Sequence, residues 1–188
     1  MTTDAANGPT NDPTTDPVAV PARFPAEYGQ TDETTATLLA WGDVAERIAA
    51  SPNYWLATTT DDGRPHLRPV DGVFVDTTLA FGGSPETRWV QHLQVRPAVS
   101  VSLPDDDHAV VLEGDVELVT DPSLAVSRAV GVANVEKYPQ YFGDGDADFH
   151  PFWMLRPHRV FAWTLTAFPA RATRFVFDVD ADVDADRR

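Results

Sequence analysis

Residues 54–83 read YWLATTTDDGRPHLRPVDGVFVDTTLAFGG. Aromatic and β-branched residues alternate with polar ones in short runs, and turn residues separate the runs. Residues 54–60 therefore form one predicted strand. Asp61-Asp62-Gly63 forms a hairpin turn, since glycine accepts the positive φ of a tight connection. Residues 64–76 form a second strand, and 77–83 a third that ends in two glycines.

The same signature recurs downstream at 98–104, 109–120, 159–168 and 171–179. Helices interrupt it at three places. Over 31–50, Leu38, Leu39, Trp41, Val44, Ala45 and Ile48 recur at helical spacing until Ser51-Pro52 ends the pattern. A second helix opens at Ser84-Pro85, and a third spans 122–137 behind Asp121, a good N-cap followed by proline. Short, mostly antiparallel strands with few helices cannot build a doubly wound parallel sheet. The fold class is therefore mainly β with helical inserts, a small antiparallel β-barrel.

With 188 residues, 43% of them hydrophobic, the chain can bury one core, expected over 23–177. Residues 1–22, rich in Thr, Asp, Pro and Asn, are expected to be a disordered acidic segment, and 178–188 a solvated acidic tail. The formal charge of −15 repels nucleic acid and anionic membranes. No stretch is long and apolar enough to span a bilayer and the start lacks a signal-peptide pattern, so a cytoplasmic location is expected. Asp-rich, lysine-poor composition fits either a high-salt setting or a GC-rich genome. The absence of cysteine excludes disulfides, thiolate metal sites and a cysteine nucleophile. Acidic loops at 105–107 and 143–148 invite a calcium reading. Counted from Asp144, however, the sixth and twelfth positions of an EF-hand loop are Phe149 and Leu155, so no metal site is assigned. No G-x-S-x-G or H-E-x-x-H motif suggests a hydrolase.

The helix start within FGGSPETRWVQHLQVRP, 81–97, carries the main functional signal. If Ser84 is the N-cap and Pro85 the first helical residue, the amides of Glu86, Thr87 and Arg88 lack intrahelical acceptors and attract an anion. Gly82 and Gly83 would let a ligand approach the backbone, and Ser84, Thr87 and Arg88 would add donors. Glu86 works mildly against this. An ordinary capped helix with Arg88 in water is the alternative. The preceding strand supports the anion site, because His66, Arg68 and Val70 share one face of an alternating strand.

The stretch YWLATTTDDGRPHLRPVDGVFVDTTLAFGGSPETRWVQHLQVRPAVSVSL, 54–103, resembles the split-barrel flavoproteins related to pyridoxamine 5'-phosphate oxidase. These proteins share the Asp-Gly turn, a strand of the type xPHxxPV, a helix with Ser/Thr-Arg-Lys near its start, and Pro-x-Val leading into the next strand. The likeness continues faintly into RVFAWTLTAFPARATRFVF, 159–177. It implies a split β-barrel of the FMN-binding type, a homodimer, and FMN or the deazaflavin F420 in clefts between subunits. Residue by residue, it implies that His66, Leu67, Arg68, Pro69 and Val70 run along the flavin. Phe81 and Gly82 would border it, Gly83 and Ser84 would lie at the phosphate turn, and Thr87 and Arg88 would hold the phosphate.

Two positions depart from the pattern. Trp89 stands where relatives carry a phosphate-binding lysine, and His92 where asparagine is common. Losing the lysine removes one charged hydrogen bond, about 1.5–3 kcal/mol, which weakens FMN or leaves the place to another ligand. The indole would stack on a planar ring or pack at a dimer interface. Trp163 and Arg174 match residues that reach the cofactor from the other subunit in some relatives; the alternative for Trp163, with Phe161, is barrel core. The resemblance thus implies a flavin- or deazaflavin-dependent oxidoreductase acting on a small molecule. Pyridoxal phosphate formation is not expected, because no second basic cluster is visible. The rival reading is a non-catalytic flavin- or haem-binding storage or sensor protein, with His66, His92, His108, His150 or His158 as the axial ligand.

Overall fold

The structure, a computed structural model, describes residues 16–142 and 149–177. The expected tail at 178–188, the acidic run at 143–148 and most of the expected N-terminal disorder lie outside the described residues. Among the described residues nine strands form one antiparallel sheet: β1 Val18–Pro21, β2 Tyr54–Thr59, β3 Pro65–Val70, β4 Gly72–Val75, β5 Thr78–Phe81, β6 Ala98–Ser102, β7 His108–Val119, β8 Phe152–Thr164 and β9 Thr173–Val176. The helices are α1 Asp32–Thr35, α2 Trp41–Ala50, α3 Arg88–Val95, α4 Ala125–Lys137 and α5 Pro139–Phe142.

The strand order is β1-β9-β8-β7-β6-β2-β3, and β5 joins β4 to β8. β8 is long enough to branch the sheet. Its first half pairs with β5 and its second half with β9, while β7 lines its other edge throughout. Going round from β8 through β7, β6, β2 and β3, the chain itself carries the wall into β4 and back through β5. The ring is not closed by hydrogen bonds, because β3 and β4 are joined at Asp71 rather than paired.

The expected single strand over 64–76 is broken at Asp71 for a definite reason. Val70 pairs with Tyr54 of β2, whereas Gly72 pairs with Phe81 of β5. At the switch, the Gly72 amide donates to Tyr138 Oη at 3.0 Å, and the Gly72 carbonyl accepts from Tyr138 Oη at 3.0 Å and Lys137 Nζ at 2.9 Å. A Cβ at Gly72 would lie 2.7 Å from the Ala80 carbonyl oxygen, so only glycine fits this corner.

Other boundaries also differ from the sequence reading. The helix over 31–50 divides into α1 and α2, because Thr31 and Thr34 form a local capping box and the Leu39 amide leaves to donate to Thr173 Oγ1 at 2.9 Å. The segment 1–22 contains β1, which pairs with β9. β8 begins at Phe152 rather than 159 and tolerates Pro157 because the register shifts there against Glu113 and Gly114 of β7. α4 starts at Ala125; Asp121 instead accepts from the Ser123 amide and hydroxyl in the turn before it.

The core fills the inner face of the sheet. Tyr54, Leu56, Leu112, Leu155, Val160 and Phe175 are fully buried there, and α2 adds Val44 and Ile48 while α3 adds Val90 and Leu93. Each such side chain contributes about 1.5–3 kcal/mol on burial. A second cluster, including Val73, Ala80, Phe152 and Met154, lies beneath Val130 of α4. The opposite face of the sheet carries a cross-strand row: Pro69, Trp55, Ser102, Val111, Phe161 and Arg174. Trp55 remains 39% and its neighbour Leu67 52% exposed.

Candidate functional site

The helix after β5 begins later than the sequence suggests. α3 starts at Arg88, with Thr87 as N-cap. Residues 84–87 form a turn of their own: the Thr87 amide and hydroxyl both donate to the Ser84 carbonyl, at 3.0 and 2.7 Å, and the Glu86 amide donates to Ser84 Oγ at 3.3 Å. The expected cap at Ser84 is thereby corrected, and the amides of Glu86 and Thr87 already have acceptors. The amides without intrahelical acceptors are those of the first turn of α3: Arg88, Trp89 and Val90.

β3 presents its inner face to that turn. His66, Arg68 and Val70 share the face of Thr58, Leu56 and Tyr54, their partners on β2, while Leu67 and Pro69 point outward beside Trp55. The His66 ring meets His92 of α3 edge-on at 5.1 Å, and His92 Nδ1 lies 3.0 Å from Thr58 Oγ1. Burial pushes the His66 imidazole below its ordinary pKa, and the charges of Arg68, His92 and Arg88 push the same way. Both guanidiniums therefore act on this one imidazole. Arg47, Arg64, Arg156 and Arg159 pair with carboxylates; among the described residues Arg68 and Arg88 have no ion-pair partner, and Arg23, Arg96, Arg128 and Arg171 share that state. Two arginines without an ion-pair partner among the described residues, an imidazole and three first-turn amides are donors an anion could use, offset beside Arg88 by Asp61 and Asp62 of the β2–β3 turn.

Arg88 and Trp89 point to different sides of α3. Arg88 lines a depression of about 540 Å³ with Thr60, Asp61, Asp62, Arg64 and His92 beside the β2–β3 turn. Trp89 lines a second cleft of about 570 Å³ with Pro69, Asp71, Gly82, Gly83 and Ser84 on one side. The rest of the lining comes from α4, α5 and the residues just before β8: Asn134, Tyr138, Tyr141, Phe142, Phe149 and His150. The glycine pair does not leave the open approach expected of it. A methyl at Gly82 would meet the Phe149 ring at 2.9 Å, and one at Gly83 the Trp89 indole at 2.2 Å, so the chain's own rings fill that space. Phe81 is fully buried in the core, 6.0 Å from the Trp89 ring, and Val70 is core as well. Phe81 thus packs in the core, whereas Val70, Gly82 and Gly83 also line the second cleft.

Trp163 and Arg174 lie elsewhere. Phe81 pairs with Trp153, and Trp163 is ten residues further along β8 (163 − 153), roughly 30 Å at the rise of a strand. Trp163 is not barrel core: it packs against Phe24 and Phe168 outside the sheet, and Phe161 sits half-exposed in the outer row with Arg174. Within one chain neither reaches α3. Of the histidines named as axial ligands, His108 approaches Asp105 at 3.4 Å and His158 approaches Asp115 at 3.2 Å. His150 is the one that lines the aromatic cleft.

Sequence reasoning missed the rest of the cleft lining and the lysine behind it. Lys137, the single lysine of the chain, donates to Tyr54 Oη and the Gly72 carbonyl, both at 2.9 Å. Its ammonium also lies 4.7 Å from the Tyr54 ring centre and 5.5 Å from that of Tyr138. Burial pulls its pKa down to about 8, against the opposing pull of Asp71. Burial also drives the Tyr54 phenol well above its ordinary range. No local pattern announces this cluster; its members meet because α4 packs on β4.

Residues 41–164 match the family described as pyridoxamine 5'-phosphate oxidase. Among solved structures, a conserved hypothetical protein from Mycobacterium tuberculosis is similar at TM-score 0.57 and 23% identity, over 68% of this chain and 86% of that one. The haem storage protein HutZ from Vibrio cholerae is similar at TM-score 0.51 and 19% identity, over 62% of this chain and 88% of its own. A FAD-binding protein from Mesorhizobium loti gives 0.50 and 18%, over 73% and 96%. At these identities the likeness is one of fold. Among curated proteins none matches. Among the described residues no helix is long and apolar enough to cross a membrane.

Proposed function

The chain belongs to the pyridoxamine 5'-phosphate oxidase family, and from that premise we propose that it is an oxidoreductase that holds FMN, or the deazaflavin F420, and acts on a small molecule. The observation that carries this is that His66 and Arg68 share the inner face of β3, that the His66 ring meets His92 of α3 at 5.1 Å, and that among the described residues neither Arg68 nor Arg88, the first residue of α3, has an ion-pair partner. These groups, with Thr87, would hold the phosphate, and the outer end of β3 would run beside the ring. When bound, the flavin supplies the hydride chemistry. The chain's residues bind and orient it, with Trp89 shielding one side of the helix start from water.

The cofactor site would be completed by a second copy. The half-exposed outer row from Pro69 and Trp55 to Phe161 and Arg174 is the face we assign to the homodimer contact. Trp163 and Arg174, out of reach within one chain, would approach the partner's cofactor from there. A second reading, storage of haem, rests on His150 in the aromatic cleft.

Titration of the purified chain with FMN and F420 tests the proposal. Binding should raise the His66 pKa in an NMR titration, because a phosphate dianion offsets the two guanidiniums. Arg88→Ala should weaken FMN by about 1.5–3 kcal/mol, roughly ten- to a hundredfold. A chain that binds neither cofactor refutes the assignment, and a Soret band on adding haem would favour the second reading.

A further inference from the structure

We infer that Lys137 is a positioning residue for the cleft beside Trp89. Acting through Gly72 and Tyr54, it sets how firmly α4 and α5 lie on the barrel, and holds them more firmly as a neutral amine than as an ammonium. This holds whichever molecule the cleft takes. The α4–α5 segment supplies Asn134, Tyr138, Tyr141 and Phe142 to the cleft lining. α4 rests on the barrel along one side, where Val130 is fully buried in a cluster with Val73, Ala80 and Met154, while Val132 on its other side is 61% exposed. At its last turn the contact becomes polar. Lys137 Nζ donates to the Gly72 carbonyl and to Tyr54 Oη, both at 2.9 Å, and Tyr54 Oη in turn donates to the Ile48 carbonyl of α2 at 2.7 Å. One amine therefore ties α4 to the β3–β4 corner, to β2 and, through the phenol, to α2.

The seat suits the uncharged amine by its donor count. It supplies two acceptors, as many as a neutral amine has N–H donors, whereas an ammonium brings a third. For that third N–H the described residues offer aromatic faces, with the Tyr54 and Tyr138 ring centres 4.7 and 5.5 Å from Nζ. Such faces attract the charge, and so does Asp71 of the corner, but desolvation prevails and brings the pKa down to about 8. The phenols on either side stay neutral in this range, because burial raises the pKa of Tyr54 and of Tyr138. Lys137 is thus the group of this cluster that changes charge between pH 7 and pH 9. Lifting α4 returns the amine to water and to its ordinary 10.5, so above pH 8 opening takes up a proton and becomes rarer as pH rises.

The chain has no cysteine, so a single introduced thiol reports opening without background. Val130→Cys places one under α4, and Ala162→Cys, 1% exposed on β8, places one in the barrel as a reference for global unfolding. Ser127→Cys, 1% exposed on α4, repeats the measurement at a second site. Labelling by an aromatic disulfide is followed from pH 7 to pH 9 on the folded chain and corrected for the thiolate fraction of a cysteine peptide. We expect the α4 thiols to react at least tenfold faster than the barrel thiol, through local opening. Their opening should become about tenfold rarer from pH 7 to pH 9, the change that pKa values of 10.5 open and about 8 closed impose. With Lys137→Met added, the slope should vanish and opening at pH 9 should be tenfold more frequent or more. FMN at saturation should slow the α4 thiols threefold or more, since the cleft must then open to be emptied. The inference is overturned if α4 and barrel thiols react alike, if the α4 rate has no pH slope, if Lys137→Met keeps the slope, or if bound FMN leaves the α4 rate unchanged. A chain that refuses FMN would sink the oxidoreductase reading, while the rate gap and the pH slopes would still decide the role of Lys137.

Discussion

Replacing Lys137 by methionine removes the charge of one partly buried ammonium. The side chain keeps its length and stem but loses the donors to Tyr54 Oη and the Gly72 carbonyl, both made at 2.9 Å. A hydrogen bond from a charged donor contributes about 1.5–3 kcal/mol when made. Desolvation of the ammonium, which pulls its pKa down to about 8, offsets part of that. The net loss on Lys137→Met is expected to be about 1–2 kcal/mol at pH 7, or about 2–8 °C in Tm for a domain of this size. The pH dependence is more diagnostic. The unfolded amine titrates at 10.5 and the folded one at about 8, so between these values the unfolded chain binds more protons. Wild-type stability should therefore rise with pH from about 8 and lie flat below it, where the amine is charged in both states. From pH 10 the raised pKa of Tyr54 works the other way, because the unfolded phenol ionises first. In Lys137→Met the rise should vanish and the fall above pH 10 remain. Denaturant unfolding from pH 6 to 11 measures this, and 15N-lysine labelling gives one side-chain signal to titrate directly. A midpoint near 10.5, or equal pH slopes in both proteins, would refute the buried arrangement of Lys137.

Three further perturbations test the packing. Gly83→Ala places a methyl 2.2 Å from the Trp89 indole, so the ring must leave its place; a changed Trp emission and a loss of about 1–3 kcal/mol are expected. Gly72→Ala meets the Ala80 carbonyl at 2.7 Å, and backbone cannot yield as a side chain can; thermal unfolding should show a loss at the upper end of that range or beyond. Asp105 is desolvated, which raises its pKa, but the Asp107 and His108 amides and Arg47 outweigh this and hold it at about 2. Its contribution is complete above the unfolded value of 3.8 and disappears as pH falls toward 2, so Asp105→Asn should be less stable at pH 7 and show a shallower acid limb in urea titrations.

The strand pattern was legible because period-2 alternation is a local property. β2, β5, β6 and β7 stand within a few residues of where the alternation puts them, and the Asp61-Asp62-Gly63 turn lies in the connection from β2 to β3. Misplaced boundaries share a cause, which is competition from distant partners. Ser84 and Asp121 look like N-caps, but each spends its oxygen on a preceding turn. The break at Asp71 depends on Tyr138 and Lys137, 66 and 65 residues away from Gly72.

The sequence by itself determined the antiparallel class and the family resemblance, since these follow from alternation, turn residues and short spacings, and it offered His66, Arg68 and Arg88 as candidates to hold an anion. Tertiary structure alone decided that Trp89 covers Gly83, that rings of α4, α5 and the residues just before β8 join it in one cleft, and that Trp163 and Arg174 lie far from α3. Such placements come from packing between segments dozens of residues apart, where burial and close approach choose among side chains that local periodicity treats alike.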